Sequence, residues 1–238
     1  MPPLLVAENV TKRHARGPRS VLALHAVSLT IDGGEFVAIR GLEPHGRKAL
    51  TLVLAGLAPP DSGEVRFDGL DVYRHRRSLV PSEIAVCWDR FPPSGGTTLL
   101  AHIALPLRLG GATRAEANTG AREALERVAA ERVAGSHPHD VEPDMLVRAA
   151  VARAIVRRPR LVLANDLTTA VDLIERDALM ALLRSLSTDQ GTAVVLMASH
   201  LVPGPDRALE IYGGAVHGET HPSERPHAEV FPLRRAQR

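Results

Sequence analysis

Four residues separate Gly41 from Gly46, and Arg47, Lys48 and Ala49 follow directly. The run before this stretch, Glu35 to Arg40, reads as a buried strand, and the run after it, to Leu57, reads as a helix. A strand, a tight loop opening at Gly41 and a helix beginning near Gly46 form the layout of a phosphate-binding loop. In such a loop, backbone N–H groups and a helix N-terminus face an anion. Its chemistry is the holding of nucleotide phosphates. A lysine after the second glycine meets the phosphates, and the next residue supplies a hydroxyl to Mg²⁺. Here Arg47 stands at the lysine position and Lys48 at the hydroxyl position. Arginine still pairs with phosphate, but its planar fork is bulkier than an ammonium. Lysine offers no ligand oxygen, and its charge opposes a cation. The plainer reading, a strand-to-helix turn with no ligand, stays open at this point.

With 238 residues, 45% of them apolar, the chain can bury a full core as one domain or one domain with a lobe. A formal net charge of +2 gives no electrostatic footprint for nucleic acid. Lysine occurs only at positions 12 and 48, the remaining basic residues being arginine. Cys87 is the single cysteine, so no internal disulfide forms, in keeping with a reducing compartment. No secretory leader is recognisable, and no apolar run approaches the roughly 18 residues of a membrane helix. Any membrane role is therefore expected to come through a partner.

The elements that must position the loop follow from periodicity. Leu4 to Asn9, Val21 to Ile31 and Glu35 to Arg40 read as strands, with Asp32-Gly33-Gly34 as a turn. In the second strand, Leu24 falls on one face with Leu22, and Val27, Leu29 and Ile31 cluster on the other. Gly63 to Phe67 and Ser82 to Trp88 are further strands, and Phe91 to Gly96 is a loop. Ala117, Ala121, Leu125 and Val128 keep the helix period within Thr113 to Arg132. Met145 to Val156 and Ile174 to Leu186 read as helices, and Arg160 to Ala164, Thr192 to Ala198 and Arg207 to Ile211 as strands. From Gly218 onward, proline, histidine, glutamate and arginine dominate, as in a disordered tail. The order predicts an α/β fold: an open, mostly parallel sheet, an antiparallel β-lobe in front and a helical insertion in the middle.

Framing segments carry a resemblance to the ATP-binding subunit of an ABC transporter, most like the lipoprotein-release and macrolide-export branch. They are Val27 to Ile39, Leu54-Ala-Gly-Leu57, Asp61-Ser-Gly-Glu-Val65, Ile103-Ala-Leu-Pro-Leu107 and the run ending in Ala198-Ser-His200. The resemblance spans roughly Leu4 to Val216 and implies a P-loop NTPase-like sheet, ATP as ligand and a membrane permease as partner. It also implies residue roles. His14 falls at the adenine-stacking position. Gly41, Gly46, Arg47, Lys48 and Ala49 line the phosphates. Asp89 takes the place of the loop glutamine. Asn165 takes the place of the magnesium-binding aspartate, and Asp166 that of the catalytic base. His200 is the γ-phosphate histidine. Val141, Glu142, Pro143, Asp144 and Met145 replace the signature, and Asp172 belongs to the dimer-contacting loop. Pro44 replaces a loop glycine and withdraws one N–H from the cradle, while Glu43 adds a carboxylate there.

The departures predict a domain over residues 1–217, with a helical subdomain at about 90–158 and a tail from 218, whose ATPase chemistry has decayed. ATP binding is expected to be weak and Mg²⁺ poorly held. The chain would serve as a structural or regulatory subunit of a permease, peripheral to the inner face of the cell membrane, in a homodimer or a heterodimer. Two alternatives are an active export ATPase and a soluble interaction module without nucleotide. Trp88 and Phe91 are expected to dock the membrane subunit. Glu142 and Asp144 also have a purely structural reading as first-turn helix residues around Pro143. Lys48 is expected to fill the vacated metal position, within about 4 Å of Asp89 or Asp166.

Overall fold

The three central strands of the main sheet show why it is buried on both faces. In Phe36–Arg40, Phe36 and Ala38 face one apolar cluster, and Val37 and Ile39 the other. Leu161–Asn165 splits Val162 and Ala164 from Leu161 and Leu163 in the same way. Ala193–Met197 splits Val194 and Leu196 from Ala193, Val195 and Met197. A strand's period of two with apolar residues at every position requires cover on both sides.

The computed structural model describes residues 2–16, 19–88, 91, 96–169 and 171–220. Strands are numbered here β1 (Leu5–Arg16), β2 (Arg19–Ile31), β3 (Phe36–Arg40), β4 (Ser62–Phe67), β5 (Leu70–Asp71), β6 (Ile84–Trp88), β7 (Leu161–Asn165), β8 (Ala193–Met197), β9 (Arg207–Tyr212) and β10 (Ala215–Thr220). Helices are α1 (Pro44–Leu54), α2 (Arg76–Ser82), α3 (Leu99–Leu109), α4 (Arg114–Arg127), α5 (Pro143–Ile155) and α6 (Leu173–Gln190). The main sheet has six strands in the order β10-β9-β3-β8-β7-β6, parallel except for the β10–β9 pair. A four-stranded antiparallel sheet, β2-β1-β4-β5, forms the lobe. Helices α3 to α5 pack together in the middle of the chain, so the expected α/β architecture is the one observed.

Three expectations are corrected. Helix α1 begins at Pro44, with Glu43 as N-cap, and not near Gly46. The fixed φ of proline suits the first helical position, where its missing N–H has no helical partner to lose. In β2, Leu24 is buried together with Val27. Ala26 adopts φ 49°, and the β1–β2 register shifts between the pairs Val10–Val27 and Lys12–Leu24. That bulge breaks the alternation read from sequence. Residues 218–220, assigned to a tail, complete β10; residues 221–238 lie outside the described residues.

Candidate functional site

The loop after β3 opens at the carboxyl ends of β7 and β8, because β8 lies between β3 and β7 in the sheet. Open α/β sheets hold ligands at this edge. Gly41 has φ 90°, and a Cβ there would lie 2.6 Å from the Ile211 carbonyl oxygen and 2.8 Å from the Tyr212 ring. The fold therefore needs this glycine whether or not a ligand binds. At Gly46 an added Cβ would lie 3.0 Å from the Leu42 side chain and 3.4 Å from the Ala23 carbonyl oxygen.

Arg47 lies in the first turn of α1 and is buried. Its Nη1 donates to the Leu42 carbonyl at 2.7 Å, and its Nη2 donates to Asp166 Oδ2 at 2.7 Å. Arg47 and Asp166 side chains are only 9% and 13% exposed, so this is an interior ion pair. The Arg47 Nε is buried, with no hydrogen-bond partner among the described residues. Asp166 sits at φ 54°, a left-handed conformation that aspartate tolerates better than most residues. Its N–H donates to the Met197 carbonyl at 2.8 Å, and its own carbonyl accepts from Thr169 Oγ1 at 2.9 Å. The turn is thus held from two sides.

A chain of contacts continues outward. Ser199 Oγ donates to Asp166 Oδ1 at 3.0 Å and lies 3.0 Å from His200 Nδ1. The serine stands between acid and imidazole. Its proton goes to the carboxylate, so this is no nucleophile activated by a base. The His200 Nε2 is buried, with no hydrogen-bond partner among the described residues. Thr51, fully buried one turn beyond Arg47, donates to the Arg47 carbonyl at 2.9 Å and lies 3.4 Å from Asn165 Oδ1. Sequence reasoning missed Thr51 and Ser199; their positions on α1 and after β8 were the available signals.

Lys48 takes another direction. It is exposed and lines a cavity of about 170 Å³ with Lys12, Arg13, His45, Ala49 and Leu52. The expectation that Lys48 fills the metal position fails on its Asp166 arm, because Arg47 holds that carboxylate. Asp89 lies outside the described residues. His14 is on β1 opposite Val21.

The other expected residues are placed elsewhere. Glu142 is the N-cap of α5, Pro143 its first residue and Asp144 part of its first turn, without a side-chain capping bond. Val141 precedes them, and Met145 is buried in the helical core. Asp172 caps α6, its Oδ1 accepting from Ile174 N at 3.0 Å and Glu175 N at 2.9 Å. The Asp-x-x-Glu spacing that announces such a start was readable in the sequence. Trp88, half-buried, pairs with Asn165 across β6 and β7. Phe91 is half-buried against the helical core, edge-on to His102 at 5.2 Å. Among the described residues, no group of three or more His, Cys, Asp or Glu is placed to hold a metal ion, and no helix is long and apolar enough to cross a membrane.

A parallel sheet carrying a glycine loop at its carboxyl edge, with an antiparallel lobe and a helical region, defines an ATP-binding cassette. The sequence profile of the ABC transporter family matches residues 24–169, and the chain belongs to that family. Two structures of the ATP-binding cassette MJ0796 superpose with a TM-score of 0.82 at 27% identity, covering 91% of this chain and 98% of theirs. Both are dimeric, and one is bound to ADP and Pi. The cbiO1 protein from Clostridium perfringens, part of the ABC transporter complex cbiONQ, shares the fold with a TM-score of 0.80 at 20% identity, covering 94% of this chain and 90% of that one. The chain is thus an ABC-type ATP-binding subunit, and ATP is the ligand of its family.

The residues present fit magnesium poorly. Lys48 turns away, Asn165 is neutral, and Asp166 is already paired. For phosphate they offer the loop after β3 and the Arg47 guanidinium, which Leu42 and Asp166 already engage.

Proposed function

We propose that this chain is an ATP-binding-cassette subunit with impaired ATP hydrolysis, serving as a structural or regulatory partner of a membrane permease. One observation supports this most: the Arg47 guanidinium is bound between the Leu42 carbonyl and the Asp166 carboxylate. A phosphate approaching the loop competes with an interior carboxylate for the same cation. The residue at the catalytic-base position is the competitor, so pairing removes two groups at once. Loss of one charge-stabilising group typically lowers turnover on the order of 10²- to 10³-fold. Such losses do not add, but several in one site leave little activity.

The decisive experiment is ATP turnover by the purified chain with Mg²⁺, beside calorimetric ATP titration with and without the metal. The expected turnover lies far below about 1 s⁻¹, the low end for enzymes, and the expected ATP affinity is weak and not improved by Mg²⁺. Turnover near that value, abolished by Asp166→Ala, would establish the active-ATPase reading. The buried and unpartnered His200 Nε2 is the feature that favours that second reading.

The subunit reading extends to partners. Each composite site in a cassette dimer would join one copy's loop to the other's residues 141–145. Glu142 and Asp144 would bring negative charge toward phosphate there, where like charges repel. Homodimer and heterodimer are both compatible with this. Half-buried Trp88, with Phe91 nearby in sequence, is the proposed docking surface for the permease, since partly exposed aromatics are enriched in interfaces. Trp88→Ala is expected to weaken copurification with the permease while leaving the melting transition of the isolated chain in place. Unchanged copurification would remove Trp88 from the docking surface, and a parent chain that never copurifies with a permease would favour the soluble-module reading. The cassette is assigned to residues 1–217 extended by the end of β10, with a helical part at about 90–158.

A further inference from the structure

The opposite edge of the main sheet carries a cavity of about 370 Å³, within the range of roughly 300–1,000 Å³ typical of ligand pockets. Arg127, Arg158 and Arg160 line it, together with Pro159, Gly191 and Thr192. It lies at the amino ends of β7 and β8, whereas Asp166 follows the carboxyl end of β7. Each of these strands has five residues, so about 16 Å separates the two edges at roughly 3.3 Å per residue.

The wall is built from three segments. Arg127 ends α4, Arg158 and Arg160 precede β7, and Gly191-Thr192 joins α6 to β8. Thr192, buried, donates through Oγ1 to the Pro159 carbonyl at 3.1 Å, and its N–H donates to Leu186 O at 3.1 Å. Arg158 adopts φ 52°, rare for a residue with a side chain, and its N–H is held by the Ile155 carbonyl at 2.8 Å.

Charge in this cavity is unbalanced. Arg160 pairs with Asp68 at 2.7 Å, and Arg158 reaches Glu123 only at 3.8 Å. Burial, and then the like charge of Arg158, hold the Arg127 guanidinium below its usual pKa, against a weaker pull from Glu123. A half-buried cation beside a second cation is stabilised by an incoming anion. Guanidinium forks match phosphate and carboxylate oxygens in pairs.

We propose that this cavity binds a small multivalent oxyanion, a phosphorylated or polycarboxylic metabolite, at the sheet edge remote from the phosphate loop. The ligand would bridge the end of α4 to the β7 entry and so hold the helical region against the sheet. This is a site for an effector, separate from the site of ATP.

The test is calorimetry and thermal melting of the full chain with inorganic pyrophosphate and, separately, citrate, against sodium chloride at matched ionic strength. Saturable binding of one equivalent and a raised melting temperature are expected. The better of the two probes tells phosphate from polycarboxylate. Arg158→Gln and Arg127→Gln should each weaken binding about tenfold or more, as expected for a lost charge-assisted hydrogen bond. The Arg158 side chain is 81% exposed, so its replacement leaves packing intact. Arg74→Gln, at an 85% exposed arginine outside both sites, should change nothing. Absence of saturable heat, equal affinity in the Arg127→Gln/Arg158→Gln double variant, or loss of binding in Arg74→Gln would overturn the proposal.

Discussion

The two ends of the same parallel strands treat arginine in opposite ways. At the carboxyl end, Arg47 is buried and engaged inside the chain, by a carbonyl and a carboxylate. At the amino end, Arg127, Arg158 and Arg160 share a cavity with fewer carboxylates than guanidiniums. The end that resembles a phosphate site by position has its charge neutralised from within. The end with no such resemblance keeps positive charge in reserve. Position in a fold therefore says where a ligand could sit, and charge balance says whether the place is still open to an anion.

Removing Arg47 should break this contrast most severely. Taking one partner from a buried ion pair typically costs about 3–5 kcal/mol, because the other charge stays buried. Arg47→Ala is expected to lower the urea midpoint accordingly, and the melting temperature by roughly 10 °C at about 2–4 °C per kcal/mol for a chain of this size. Replacing both partners, as Arg47→Met with Asp166→Leu, should recover most of the loss, since well-packed apolar pairs often equal buried ion pairs. A loss below about 1 kcal/mol in the single variant would place Arg47 with ordinary surface pairs and remove the contrast.

A milder change sharpens it. Asp166→Asn keeps the shape of the side chain and a hydrogen-bonding oxygen but releases the charge that engages Arg47. ATP affinity measured by calorimetry should rise about tenfold, the scale of one charged hydrogen bond freed for phosphate. The carboxyl edge would then behave like the amino edge, with a cation available. Unchanged affinity would mean that Pro44 and the early start of α1 close the loop to phosphate regardless of charge.

The strands that carry this comparison were legible because a period of two with apolar residues at nearly every position leaves few alternatives. β3, β7 and β8 fell within a residue or two of their expected limits. The site was legible as a set of places and not as contacts. Arg47 and Asp166 are 119 positions apart, and their pairing depends on β8 lying between β3 and β7, which no local pattern encodes. Lys48 was expected to do what Arg47 does, since spacing alone cannot tell which of two adjacent cations points inward on a helix. The bulge at Ala26 was hidden for a related reason: no glycine marks that positive φ. Helix α2 escaped notice because Arg76–Ser82 is short and contains a proline.

The smallest effect is expected where a cation meets a carboxylate in the exposed lobe. Asp61 accepts the Arg13 N–H at 2.6 Å and Lys12 Nζ at 3.0 Å. The Arg13 N–H first, and the Lys12 side chain second, hold its carboxyl below the ordinary value of 3.8. A carboxylate with a depressed folded-state pKa stabilises the fold above its unfolded value, and that contribution disappears as pH falls through the folded value. Asp61→Asn should therefore lie slightly below the parent chain in denaturant stability near about pH 7, and the gap should close as pH falls below the ordinary carboxylate value. Added salt should narrow the same gap, because exposed charges are screened within about 10 Å at 0.1 M, whereas the deficit of Arg47→Ala should persist at high salt. A gap for Asp61→Asn that survives acid would mean the residue acts through the geometry of its turn. In that case, the difference between the lobe and the buried pair would be one of hydrogen bonding and not of charge.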